Sequence, residues 1–421
     1  MKKPLHKHIG HHAKRVHRNT IGHITKYLYE RDTIFATIWV FLFIFILGSI
    51  PLNLGSMNPI KLSLKDFDFN DLTYSHLVED DERKLDTVIT IVNIGTADRE
   101  GLSLMIDKAA TYGPRVMALD ALFYVEKDPR TDSMLSETFR RNKNLVVAQK
   151  LIPSGPKADT LKTAGNYIGG ANQYGFVNFF TDQLASVRSY EPFEKDWKKK
   201  LYSSFSSEIV RLYDSTEYKQ LKKRGNSRTL INYTRNQNKY LIIDWEKLMI
   251  DDFDSSALKD RIVLFGFIAP EDQPDNISDK FFTPMNSRWY GKSIPDMFGI
   301  VVHANIISMA LEDNYIKKLP SWANWLIAIF VCWLHMSFFV RYYLESHIWF
   351  HLVAKIAQVA SAIFFVWLGI YLFEKYRLKT DLKMSLLVIV LAVDVIYFYE
   401  AWAVWMHKKF NYKTVFKPHH H

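Results

Sequence analysis

Thr33–Leu52, reading TIFATIWVFLFIFILGSIPL, carries no charged residue. That is about the 20 residues a helix needs to cross the hydrocarbon core of a bilayer. Three further apolar stretches stand near the other end of the chain, at about 322–340, 349–373 and 384–406. In lipid every backbone polar group must be satisfied within the segment, so each stretch is predicted to be a spanning helix. These four runs divide the chain into a tail (1–32), a first span (33–52), a region that must fold in water (53–320), a three-helix region (321–406) and a second tail (407–421). The first run could serve as a secretory signal, but its apolar core is long and no A-x-A-like site follows, so it reads as a retained anchor.

The 421 residues carry a net charge of +10, and where that charge sits decides what it means. Residues 1–31 hold eight bases (Lys2, Lys3, Lys7, Lys14, Arg15, Arg18, Lys26, Arg31) against Glu30, and residues 407–421 hold Lys408, Lys409, Lys413 and Lys417 against no acid. Setting those twelve bases and one acid apart from 54 and 44 leaves 42 bases against 43 acids, a nearly neutral body. Basic tails beside apolar spans mark the cytoplasmic side and contact anionic lipid, so nucleic acid is not an expected partner. With both tails inside, 53–320 and the Glu374–Lys383 loop lie outside. That loop carries Lys375, Arg377, Lys379 and Lys383, against the usual charge bias, yet each run is long enough to span by itself. Cys332, the single cysteine, allows no intramolecular disulfide and reads as a buried thiol. His419–His421 are set aside as a native end or a tag remnant.

Residues 53–320 alternate in type. Strands are predicted at Asp86–Gly95, Arg115–Phe123, Leu145–Leu151 and Arg261–Gly266, and helices at Leu102–Tyr112, Asp132–Arg141 and Gly299–Leu311. Strand, helix, strand in this rhythm gives an α/β fold with a mixed, largely parallel sheet. Between Gly175 and Tyr240 shorter strands (176–179, 186–190, 229–233) surround a helix near Asp196–Asp214 and are expected to extend the sheet antiparallel. Arg261–Gly266 leads into a long polar loop with Asp275, Asp279, Thr283 and Pro284. Loops at the carboxyl ends of strands are where open α/β sheets place ligands.

Three charges fall inside the apolar runs: Lys355, Asp394 and Glu400. Intramembrane charges tend to face the bundle interior and pair. Counting about 1.5 Å per residue from the inner ends puts Lys355 and Glu400 at equal depth, natural partners, and Asp394 near the midplane with no base at its level. Proton or ion handling is the functional alternative to this structural pairing.

Several motifs in order carry a resemblance. They are Gly113-Pro-Arg-Val-Met-Ala-Leu-Asp-Ala-Leu-Phe123 with Asp132 and Leu135 after it, Gly175-Phe-Val-Asn178 through Arg188, Ile262-Val-Leu-Phe-Gly266, Asp279 with Thr283-Pro284, and Gly299-Ile-Val-Val-His-Ala-Asn305. Over residues 60 to 315 the chain resembles the CHASE2 domain, an extracytoplasmic sensor module of bacterial receptors. The first strand ends in Asn93 where that family commonly has an acid. The resemblance implies a bacterial inner-membrane, multi-pass sensor with its large domain in the periplasm and no catalysis of its own. Neither tail has room for a catalytic output domain, so a signal is expected to leave through a partner protein, with a second copy of the chain as another candidate partner.

Candidate ligand residues are Asp120, Arg188, Asp279, Thr283, His303 and Asn305. Asp120, Asp279 and His303 could converge at one sheet edge, and Arg188 could hold an anion. Caps, loop ties and an ion pair are the structural alternatives. No nucleotide loop, nucleophile elbow or paired metal-ligand spacing occurs, so no enzyme, cofactor or metal is expected. Two other readings stay open, a structural subunit anchoring a cell-envelope complex and an ion-coupled membrane subunit.

Overall fold

The computed structural model describes residues 27–49, 71, 73–74, 84–154, 160–179, 186–196, 198–225, 228–270, 273, 276–286, 294–345 and 347–416. Asp275 and the basic 1–26 segment lie outside the described residues. The chain divides into two compact units, a helical one made of residues up to 60 and from 317 onward, and a sheet unit of Lys61–Ile316.

The helical unit starts with α1 (Arg31–Ser49). The sheet unit then holds, in order, β1 (Ile89–Asn93), α2 (Arg99–Ala110), β2 (Val116–Leu119), α3 (Pro129–Arg141), β3 (Leu145–Ser154), β4 (Thr160–Ala164), β5 (Gln173–Phe176), β6 (Ser189–Tyr190), β7 (Phe193–Lys195), β8 (Leu201–Ser203), α4 (Phe205–Tyr213), α5 (Ser215–Arg224), β9 (Thr229–Leu230), β10 (Leu241–Asp244), α6 (Trp245–Met249), β11 (Ile262–Gly266), β12 (Lys280–Phe281), β13 (Met297–Phe298) and α7 (Gly299–Leu311).

The main sheet runs β10-β1-β11-β2-β3. Beyond it, β5 pairs parallel with Val146–Gln149 and β4 pairs antiparallel with Lys150–Ser154. All its other ladders are parallel. β1, β2 and β11 are buried at every position, which requires cover on both faces and explains why they read as continuous apolar runs rather than alternating ones. On one face Val92, Leu119, Val147 and Phe265 pack with Leu102 and Ile106 of α2, Phe139 of α3 and Leu248 of α6. α4 and α7 cover the other. Two glycines let them come close: a Cβ at Gly266 would meet Ile300 at 2.6 Å, and one at Gly175 would stand 2.4 Å from the Phe205 Cα. Every residue of α7 from Gly299 to Ala310 is buried, as befits a helix apolar on all sides.

Three local expectations change. α3 starts at Pro129, capped by Asp128, whose carboxylate accepts the Thr131 N–H. Asp132 sits inside the first turn and pairs with Arg99. The expected 196–214 helix begins only at Phe205, because the β7–β8 hairpin takes the preceding residues and Ser204 caps α4. The middle region does not extend the sheet antiparallel: of its strands only β5 joins, and it pairs parallel, while β6–β9 and β7–β8 form separate two-stranded pairs.

The helical unit continues with β14 (Lys317–Lys318), α8 (Ser321–Glu345), α9 (His347–Tyr376), β15 (Leu378–Lys379) and α10 (Lys383–Phe410). α1, α8, α9 and α10 are long and apolar enough to cross a membrane. Parallel pairing of β14 with β15 sets the α9–α10 loop beside the segment that enters α8. The core joins Ala36 and Val40 of α1, Cys332, Met336 and Phe339 of α8, and Ile389, Ala392, Ile396 and Tyr399 of α10. Asp32 is buried at 1% exposure. It accepts bonds from the Tyr399 hydroxyl, the Thr414 hydroxyl and the Val415 N–H, drawing the segment after α10 onto the start of α1.

The Lys355–Glu400 pairing does not form. Glu400 accepts the Tyr343 hydroxyl, and the α9–α10 register is set elsewhere. Gln358 donates to the Ile389 and Val390 carbonyls at 2.8 Å, and His351 stacks on Tyr397 with centroids 5.8 Å apart. The helices being antiparallel, Lys355 comes level with Asp394. Because α10 runs on to Phe410, equal counts from the ends of the apolar runs did not mean equal depth. Asp394, expected to face the bundle interior, is on the exposed surface of the unit, as is Lys355.

Candidate ligand-binding site

The carboxyl ends of β2 and β11 lie side by side, with Leu119 opposite Phe265. Asp120 continues β2 by one bond, its N–H donating to the Phe265 carbonyl at 2.8 Å. Across from it the loop after β11 returns through Asp279 into the β12–β13 pair and α7. Together with β3 and the segment after β5, these elements enclose a cleft of about 260 Å³ whose polar lining includes Asp120, Lys150, Asn178, Asp279 and His303.

Asp279 has a left-handed backbone, φ 57°, which Asp tolerates better than most residues. Its carbonyl accepts the Gly299 N–H at 2.9 Å. A methyl on Gly299 would approach its carboxylate oxygens to 3.2 and 3.3 Å and Phe281 to 3.1 Å. Glycine at the first position of α7 therefore leaves room for this carboxylate at the positive end of a helix. Asp279 as a residue is exposed at the rim, but its carboxylate lies against the start of α7. Loss of water there pushes it up to about 6, with Lys150 pulling the other way. Asp120 is pushed up to about 7, first by burial and then by the Asp279 charge, again opposed by Lys150. Two acids competing for charge near one ammonium hold protons close to neutral pH.

His303 lies at the bottom, 3% exposed. Its ring is held by Phe179, 4.6 Å away at 32°, and by Phe205 at 5.1 Å edge-on. Nδ1 shares a hydrogen bond with the Ser206 hydroxyl at 3.0 Å. Burial drives its pKa down to about 3, so the ring is neutral. Nε2 is buried with no hydrogen-bond partner. A buried polar atom left unpaired costs about 1–3 kcal/mol, and a ligand in the cleft would restore that bond.

A protein-family model, described as CHASE2 domain, matches residues 37–338. The chain belongs to the CHASE2 domain family. CHASE2 is an extracytoplasmic sensor domain, not a catalytic one. Neither a curated protein nor a solved structure matches the chain.

Within this CHASE2 chain, Asp120, Asp279 and His303 come together, whereas the other three candidates stand apart. Arg188 holds Asp71 through Nε at 3.1 Å and Nη2 at 2.7 Å. Thr283 donates its N–H and its hydroxyl to Asp296, tying the β12–β13 loop. Asn305, fully buried, accepts the Thr234 and Arg235 N–H groups at 3.1 Å and donates to the Arg235 and Val301 carbonyls at 3.0 Å. These bonds join elements of the fold and leave little capacity for a ligand. Asn178 likewise pairs with the Leu151 backbone in both directions. Asn93, in the place of the family's acid, accepts the Gly95 and Ile268 N–H groups and donates to Asp244. It knits the loops after β1 and β11 and is not part of this cleft's lining. Sequence reasoning missed Lys150 and Ser206. Lys150 carried a signal, a charge directly after the buried run Leu145–Gln149, and Ser206 carried none. No group of three or more metal-ligating side chains occurs among the described residues.

Proposed function

We propose that the chain is a sensor of the bacterial inner membrane, held by four spans, with the sheet unit in the periplasm. Its ligand is a small polar cation or zwitterion that enters the cleft at Asp120. The reading is carried by the unpaired His303 Nε2 at the bottom of a cleft lined by two carboxylates and one ammonium. A ligand ammonium would displace protons from Asp120 and Asp279, a ligand carboxylate would face Lys150, and a hydroxyl or amine would reach His303. The α7 helix, whose first residue touches the Asp279 carboxylate, continues through Glu312–Pro320 into the next span. A ligand that binds one arrangement of this helix better than another shifts the balance between them.

The test uses the full chain in lipid nanodiscs, titrated with amino acids, small amines and carboxylates at pH 8 while thermal unfolding is followed. A ligand present at about 100 Kd stabilises by about 2.7 kcal/mol. Stabilisation by an amine or zwitterion, lost in Asp120→Asn and in His303→Phe, is expected. Binding unchanged in both variants, or a chain that responds to no such compound yet purifies with an envelope protein, would sink the ligand reading in favour of a scaffold.

A further inference from the structure

Lys355 and Asp394 lie on adjacent helices, level with each other, on the outer surface of the helical unit. Among the described residues neither makes a hydrogen bond or an ion pair. A charge deep in a spanning helix costs about 2.5–3.5 kcal/mol even on insertion scales, and such groups are normally turned inward or paired. Two unpaired charges of opposite sign at one depth therefore mark a face that does not meet lipid. The surrounding side chains are apolar and open, with Ile356 and Val359 each 60% exposed and Val390 56%. α9 is also the least buried of the four long helices, 17% against 44% for α10.

We propose that this α9–α10 face binds a second copy of the same chain about a twofold axis along the membrane normal. Such an axis keeps every residue at its own depth. Lys355 of one copy then meets Asp394 of the other, and the same contact forms again on the other side of the axis. A face carrying one base and one acid at equal depth is complementary to itself, as isologous dimers require. A different partner would need the same two charges at the same depth, whereas a second copy already has them. This inference rests on the helical unit alone and stands whether or not the cleft binds a ligand.

The test co-expresses two differently tagged full chains, one with Lys355→Asp, so that both positions are acidic, and one with Asp394→Lys, so that both are basic. Contact between copies predicts that the acidic and basic chains recover each other from membranes at least fivefold better than either recovers itself. Pairing of Lys355 with Asp394 inside one chain predicts no such preference, and that result overturns the proposal. A second measurement keeps both charges: in a Cys332→Ser chain, Val359→Cys forms an interchain disulfide on mild oxidation in membranes and Ile329→Cys, on α8, does not. A chain that is monomeric in nanodiscs, or that cross-links through Ile329→Cys instead, overturns it equally.

Discussion

The sheet unit and the helical unit differ in which buried polar side chains do most of the joining. In the sheet unit, amides do much of the joining: Asn93, Asn178 and Asn305 each tie their own segment to a distant stretch of backbone and so fix loops that have no ladder of their own. In the helical unit Gln358 joins α9 to the α10 backbone in the same way, but most of the joining is by carboxylates that accept from hydroxyls, Asp32 from Tyr399 and Thr414, Glu400 from Tyr343. Helices satisfy their own backbones, so polar side chains there are free to pair with each other. Each unit also leaves polar groups without a bond among the described residues, including His303 Nε2 in the cleft of one and Lys355 with Asp394 on the outer face of the other. A polar group left without a bond in a cleft or on an open face is where a partner from outside can add one.

The comparison breaks first at the glycines. Gly175→Val would drive side-chain carbon into the Phe205 backbone, and a loss of 4 kcal/mol or more is expected, on the scale of severe core disruption. Limited proteolysis should then cut the sheet unit while α8–α10 stay protected. Simultaneous loss of both would show that the units are not independently stable. Asn305→Ala comes next. It strands the Thr234 and Arg235 N–H groups, and about 3 kcal/mol is expected, read as a lower denaturant midpoint with an unchanged slope. In the helical unit Asp32→Ala removes an acceptor from three donors and should cost about 2 kcal/mol, seen as faster proteolysis after Phe410.

The smallest effect has the opposite sign. Asp120 holds its proton up to about 7 when folded and only to about 3.9 in an unfolded chain. Between those values the folded state binds more protons, so stability falls as pH rises through the window. Asp120→Asn removes that slope. It should raise stability by about 1–2 kcal/mol at pH 8, after allowance for solvent screening at an open cleft, and change nothing at pH 3.5. Thermal melts across pH 3.5–8 decide it, and a variant less stable at pH 8 would mean that Asp120 is needed as an anion.

Much of this was legible in the residues. The apolar runs marked the four long helices, and α7 spans Gly299–Leu311 as expected. The convergence of Asp120, Asp279 and His303 followed from their positions at strand ends and on the helix between them. What the chain did not reveal was register. Which residue of β3 faces the cleft, and which of α9 stands level with Asp394, depends on pairing between distant segments, and a one-residue slip changes every answer. Nor could type or motif separate a residue that holds the fold from one that meets a ligand. Asn305 and His303 sit two positions apart in one motif, and only their hydrogen bonds distinguish them. Leu241–Asp244 went unread because a short edge strand, exposed at both ends, carries little of the apolar signal that marks β1 or β11.

The bonds of Asp32 bear on how the protein is made. Asp32 is made long before its partners: Tyr399 lies 367 residues downstream and Val415 lies 383. At the usual pace of about 5–20 residues per second, the acid waits on the order of 20–80 s for the groups that will satisfy it. During that interval water must satisfy it. Translation stalled before Asn411 should therefore leave the first helix poorly anchored, although α8, α9 and α10 have already been synthesised.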